Sequence, residues 1–158
     1  MILLDIDGVL NPLFSFTLEE DGFIPITKGW ATWSLNANKH TSMLENLDSI
    51  DSIEWCSSWG DDSNHINDYF ALSRRYEYLP LRNSGDQTSE TWKLSSVKRH
   101  VKNYQEKVVW IDDELYDDAF AWAEERGLDK TLLIKTDPAV GLTEEQYQRV
   151  VSFFKEAA

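Results

Sequence analysis

Four polar segments, far apart in the chain, stand at the ends of apolar runs or at the start of a helical pattern: Asp5-Ile6-Asp7-Gly8, Ser57-Ser58, Lys93 and Asp112-Asp113. Paired carboxylates, a hydroxyl and a lysine are the groups that a magnesium-dependent phosphoryl-transfer site requires. The first segment follows Ile2-Leu3-Leu4, which reads as a buried strand cut short by Asp-x-Asp and a glycine. The last follows Val108-Val109-Trp110-Ile111, a second such strand ending in two acids. In open α/β sheets the ligand sits beyond the carboxyl ends of the strands, so both acid pairs should reach one crevice. Four carboxylates there repel one another unless a cation joins them.

The elements that must position these groups follow from periodicity. Strands are expected over residues 2–6, 53–56, 76–79, 108–111 and 132–134. Between them lie a short helix around Met43, Leu44 and Leu47, and a second that starts at Asp61-Asp62 and carries Ile66, Tyr69 and Phe70. A polar loop from Arg82 to Ser89 leads to a third at Lys93, with Leu94, Val97, Val101 and Tyr104 on one face. Leu115, Ala119 and Trp122 mark a fourth helix closed by Gly127. Thr143 with Gln146 forms a capping box ahead of Tyr147, Val150, Val151 and Phe154. Such alternation argues for an α/β fold: a mostly parallel five-stranded sheet with helices on both faces.

The segment from about residue 11 to 39 interrupts the pattern. Phe14, Phe16 and Leu18 alternate before Glu19-Glu20-Asp21-Gly22, and Phe23, Ile24 and Ile26 follow. Alternation about Asp-Gly predicts a β-hairpin turning at Asp21-Gly22. It would form a flap bearing Phe14, Phe16, Phe23, Trp30 and Trp33.

At 158 residues, 42% of them hydrophobic, the chain has the length of one domain, 1–158, with a sizeable core. A formal charge of −13 opposes any broad nucleic-acid or anionic-membrane footprint, so nucleic-acid contact would have to be local. Arg74, Arg75 and Arg82 are candidates for such a basic rim. One cysteine, Cys56, excludes an internal disulfide and reads as a small buried hydrophobe. No apolar segment has the length of a secretion signal or a membrane span, and a soluble, cytoplasmic protein is expected.

The four segments, in this order and at separations of 52, 36 and 19 residues, resemble the four motifs of the haloacid dehalogenase (HAD) superfamily. The resemblance implies a Rossmann-like HAD fold, with Asp5 as nucleophile forming an aspartyl-phosphate and Asp7 as general acid and then general base. It implies Mg2+ held by Asp5, the Asp7 main-chain carbonyl and Asp112, with Asp113 orienting a metal-bound water. Ser57 would bind phosphoryl oxygens and Lys93 would offset their charge. Superfamily members that cleave carbon–halogen bonds lack the second acid, so Asp7 favours phosphoryl chemistry. Ser58 is the alternative to Ser57, and Lys98 or Lys102 to Lys93. Asp117 and Asp118 read as a solvated helix face, and His40, His65 and His100 show no metal or triad spacing.

Larger members carry a cap domain where this chain has only the hairpin flap, so the site should be open. Asp7-Gly8-Val9-Leu10-Asn11-Pro12, Trp55-Cys56-Ser57-Ser58-Trp59, Trp92-Lys93, Trp110-Ile111-Asp112-Asp113-Glu114, and Asp137-Pro138 with Gly141-Leu142-Thr143 are similar to the small capless branch found in bacterial and phage RNA-repair proteins. That likeness implies a phosphorylated substrate such as a nucleotide or a nucleic-acid end, with Trp59 either stacking on a base or, more in keeping with its position, packing. A phosphotransferase and a catalytically silent binding module are the alternatives.

Overall fold

The structure is a computed structural model describing residues 1–15, 18–29, 31–82 and 89–156. Strand β1 (Ile2–Leu4) is followed by β2 (Ile24–Lys28), β3 (Ala31–Leu35), helix α1 (Ala37–Ile50) and β4 (Ile53–Trp55). A 3-10 turn (Gly60–Ser63) runs into α2 (Asn64–Phe70), and then come β5 (Glu77–Tyr78), α3 (Leu94–His100) and β6 (Val108–Asp112). Helix α4 (Asp117–Arg126), β7 (Thr131–Lys135) and α5 (Glu144–Lys155) complete the described elements. The main sheet has the order β5-β4-β1-β6-β7, with every neighbouring pair parallel. The chain steps from β1 outward to β5 and then returns to the other side of β1, so the order reverses between β1 and β6. That reversal opens a crevice at the carboxyl ends of these two strands.

Side chains alternate across the sheet and divide the core in two. Ile2, Leu4, Ile53, Trp55, Val109 and Ile111 face α1, α2 and α5, where they meet Leu44, Leu47, Ile66, Phe70, Val150 and Phe153. Leu3, Val108, Trp110 and Leu133 face α3 and α4 and meet Leu94, Val97, Ala119 and Trp122. Helices on both faces leave β1 and β6 buried at every position, which is why these strands are uninterrupted apolar runs. The capping box on α5 is complete: Gln146 N–H donates to Thr143 Oγ1, and Thr143 N–H donates to Gln146 Oε1. No helix among the described residues is long and apolar enough to cross a membrane.

The hairpin forms, but not about Asp21-Gly22. β2 and β3 pair antiparallel from Ile24↔Leu35 to Lys28↔Ala31, so the chain reverses after Lys28, where Gly29 has φ +63°. Asp21-Gly22 is a separate turn, closed by Gly22 N–H to Glu19 O and Phe23 N–H to Leu18 O. Among the described residues between β1 and this turn there is no strand: Leu13 N–H is held by Pro138 O, and Phe14 sits at φ +61° with its ring exposed. Phe23 leaves the flap for the core, where its ring edge meets His40. Phe16, Trp30 and residues 83–88 of the polar loop lie outside the described residues. Helix α1 is longer than expected because Asn36 caps it, its side chain accepting from Lys39 N–H.

Candidate active site

Asp5 leaves the end of β1, Asp112 is the last residue of β6, and Lys93 stands immediately before α3. Their side chains converge. Lys93 Nζ lies 2.7 Å from Asp5 Oδ2 and 2.7 Å from Asp112 Oδ2, and all three residues are at most 4% exposed. Asp112 Oδ2 also accepts from Trp110 Nε1 at 3.2 Å, and its Oδ1 accepts from Glu114 N–H at 3.0 Å. Asp5 Oδ1 accepts from Ile6 N–H at 2.8 Å. Burial works against the Lys93 charge, but Asp5 and Asp112 outweigh it and raise the lysine's pKa. Burial, and then Asp112, push the Asp5 carboxyl up against the opposing pull of Lys93. Two carboxylates thus share one ammonium, and the cluster carries excess negative charge.

Asp113 adds to that excess. Half-buried, it is pushed up to about 6 by burial and by Asp112. Asp5, Asp112 and Asp113 each offer an oxygen within 4.8 Å of the others. An all-carboxylate set of this spacing, with a net negative charge to neutralise, fits a hard divalent cation such as Mg2+. Gly8 makes room for the Asp113 side chain. At φ +72° its hydrogen faces Asp113, and a Cβ there would stand 2.4 Å from Asp113 Cγ. Thr136, just beyond β7, donates to Gly8 O at 2.8 Å, and Leu142 N–H donates to Val9 O at 2.8 Å, so the segment after β7 braces the Asp-x-Asp turn.

Asp7 points elsewhere. Its Oδ1 accepts from Asn11 Nδ2 at 2.7 Å and its Oδ2 from Trp59 Nε1 at 2.8 Å. It lines a pocket of about 580 Å³ between the turn and the hairpin, together with Asn11, Lys28, Trp33, Trp59 and His65. Ser57 is buried beyond the carboxyl end of β4, the neighbour of β1, and its Oγ accepts from Trp59 N–H at 3.4 Å; Ser58 is exposed. Cys56, wholly buried beside this cluster, has its thiol pushed well up by burial and behaves as a hydrophobe.

Other expected residues fall out of the site. Lys98 and Lys102 line a different depression, with Tyr104 and Arg126. Arg74 donates from Nε to both oxygens of Asp48 and from Nη2 to Ile53 O, at the amino end of β4 and thus opposite the crevice. Arg75 pairs on the surface with Asp68 at 3.1 Å. Asp118, partly exposed, also has a structural partner: it accepts from Thr91 N–H, Thr91 Oγ1 and Ala119 N–H, and these bonds hold its carboxyl low against the effect of burial. Thr91 is thereby fixed two residues before Lys93.

Asn11 and Trp59 as partners of Asp7 were not expected from the sequence. The only signal was their proximity to motif residues in the chain, since the contacts are made by the fold. No curated protein matches the chain. Residues 1–147, from β1 into α5, match the HAD domain in Swiss Army Knife RNA repair proteins. This match and the converging carboxylates, lysine and Asp-x-Asp turn agree, and the chain belongs to that family of HAD domains.

Proposed function

We propose that the protein is a magnesium-dependent phosphomonoesterase that works through an aspartyl-phosphate on Asp5 and acts on a phosphate at the end of a nucleotide or RNA strand. The observation that carries the reading is the split between the two acids of one turn. Asp5 is buried and bonded to Lys93, whereas Asp7 faces the adjacent pocket. An Asp5 carboxylate oxygen attacks phosphorus and the bond from phosphorus to the substrate oxygen breaks. Asp7 delivers a proton to that leaving oxygen. Asp7 then takes a proton from water, whose oxygen attacks phosphorus, and inorganic phosphate departs as the Asp5 carboxylate is restored. Lys93 and Ser57 hold negative charge on the phosphoryl oxygens through both steps.

Mg2+ would be held by Asp5, Asp112, Asp113 and the Asp7 main-chain carbonyl, and when bound it supplies positive charge to the phosphoryl group and the nucleophile. The substrate class is supported by the RNA-repair family and by an open pocket whose walls include Trp33 and Trp59, rings suited to a base. The test is hydrolysis of aryl phosphates, nucleotides and 5′- or 3′-phosphorylated oligonucleotides, with and without magnesium, by the wild type and Asp5→Asn. The wild type should be active only with magnesium. An amide cannot serve as the nucleophile, so Asp5→Asn retaining more than about a few per cent of that activity would sink the covalent mechanism.

A further inference from the structure

Asn11 stands where the Asp-x-Asp turn meets the hairpin, and it is only 7% exposed. Its main chain closes the turn, the N–H donating to Ile6 O at 2.9 Å and the carbonyl accepting from Gly8 N–H at 2.8 Å. Its side chain faces two ways: Nδ2 donates to Asp7 Oδ1 at 2.7 Å, while Oδ1 accepts from Ser34 N–H at 2.8 Å. Ser34 stands opposite Pro25 at a non-hydrogen-bonded position of the β2–β3 pair, so its N–H points out of the ladder toward Asn11. That amide needs an acceptor, so it fixes which end of the Asn11 side chain faces it. The donor end is left for Asp7. Trp59, the second donor to Asp7, lies edge-on against Trp33 of β3 with ring centroids 5.0 Å apart. The hairpin therefore reaches both oxygens of Asp7, each through one intermediary.

We propose that Asn11 is a positioning residue, seconded by Trp59, that couples docking of the β2–β3 hairpin to the aim of the Asp7 carboxylate. With the hairpin seated, Asp7 is fixed toward the pocket where the leaving group lies. With Ser34 detached, the Asn11 amide loses the contact that sets its orientation, and Asp7 loses its aim. A leaving group in the pocket touches hairpin and acid together, so its binding reinforces the alignment. The kinetic consequence rests on the role of Asp7 as proton donor, whereas the mechanical coupling does not.

Two readouts separate these. Amide exchange at Ser34 should speed up at least about tenfold in Asn11→Ala and also rise in Asp7→Ala, although Asp7 does not touch Ser34. Asn11→Asp, which keeps an acceptor for Ser34 but loses the donor to Asp7, should stay near wild type in exchange. On aryl phosphates, Asn11→Ala and Asn11→Asp should lower kcat about tenfold or more for poor leaving groups and far less for good ones, with KM little changed. Trp59→Phe keeps a smaller aromatic ring beside Trp33, removes the N–H donor, and should show the same leaving-group bias if Asn11→Ala fails to fold. Unchanged Ser34 exchange in Asp7→Ala would overturn the coupling. Equal loss of kcat for all leaving groups would overturn the positioning role. A wild type without magnesium-dependent hydrolysis would overturn the phosphatase reading alone, and the coupling would then be decided by exchange.

Discussion

Replacing Lys93 with methionine removes one ammonium from between two carboxylates while keeping most of the side-chain volume. Lys93, Asp5 and Asp112 are 2%, 4% and 0% exposed, so water cannot take over the lost bonds without opening the core. Breaking a buried ion pair by removing one partner costs about 3–5 kcal/mol. At roughly 2–4 °C per kcal/mol for a domain of this size, the melting temperature should fall by about 6–20 °C. The loss should depend on pH with a definite sign. Asp5 is already pushed up by burial and Asp112, and Lys93 is what opposes that shift, so without Lys93 its pKa rises further. A carboxyl whose folded pKa is raised binds its proton more tightly folded than unfolded, so the deficit grows as pH rises through the folded pKa and shrinks as pH falls. Thermal melts in chelator at pH 5.5 and pH 8 should therefore show the larger deficit at pH 8. Lys93→Met combined with Asp5→Asn should recover part of it, since Asp112 keeps its bonds from Trp110 and Glu114. If Lys93→Met melts within about 2 °C of wild type at pH 8, the ion bridge does not hold this end of the sheet, and the reasoning fails.

His40 is wholly buried, its Nδ1 has no hydrogen-bond partner, and burial pushes its pKa down to about 4. Between the unfolded value near 6.5 and that folded value only the unfolded chain takes up the proton, so stability falls with pH across this window by up to about 3 kcal/mol. Urea unfolding at pH 6.5 and pH 4.5 should show that His40→Leu loses less stability on acidification than wild type. Gly8→Ala and Gly29→Ala both strain a positive φ, but only at Gly8 would the new Cβ collide, at 2.4 Å from Asp113. Gly8→Ala should cost about 1–3 kcal/mol more and abolish magnesium-dependent activity, while Gly29→Ala should leave activity in place; equal effects in melts and rates would refute the close-approach argument. Arg74→Ala loses the Asp48 contacts and the stack on Tyr76, partly exposed, and should cost about 1 kcal/mol while leaving kcat/KM unchanged, since Arg74 sits at the opposite end of the sheet from the site.

The centre of the sheet was legible because burial on both faces turns β1 and β6 into apolar runs, and because each of these two runs ends in acid. Asp5, Lys93 and Asp112 could be placed together from motif order and strand ends alone. The turn of the hairpin could not. The chain turns both at Asp21-Gly22 and after Lys28, and which turn joins the two strands is set by tertiary contacts: burial of Leu35 and Phe23, and the bond from Ser34 to Asn11. Asp118 illustrates the same limit. On a helix it resembles its neighbour Asp117, and only the approach of Thr91 from a separate segment distinguishes them.

The Asp-x-Asp turn explains why one short segment can provide two carboxylates with different duties. β1 ends at Leu4, so Asp5 continues the buried line of the strand and meets Lys93 in a dry cluster. The chain then folds back on itself within six residues, Leu10 and Asn11 both donating to Ile6 O, and this turns Asp7 out of that line toward the pocket. Gly8 must follow at once, because only a residue without Cβ lets the turn pass against Asp113. In the proposed reaction, two acids separated by a single residue would therefore approach a substrate phosphate from different directions: one aligned with the lysine, the other with the leaving group. A strand that ran on through residue 7 would put Asp5 and Asp7 on the same face, in the same environment, with no means of dividing attack from proton transfer. The early end of β1 is in this sense a requirement of the proposed chemistry, and lengthening it would be expected to cost activity before it cost the fold.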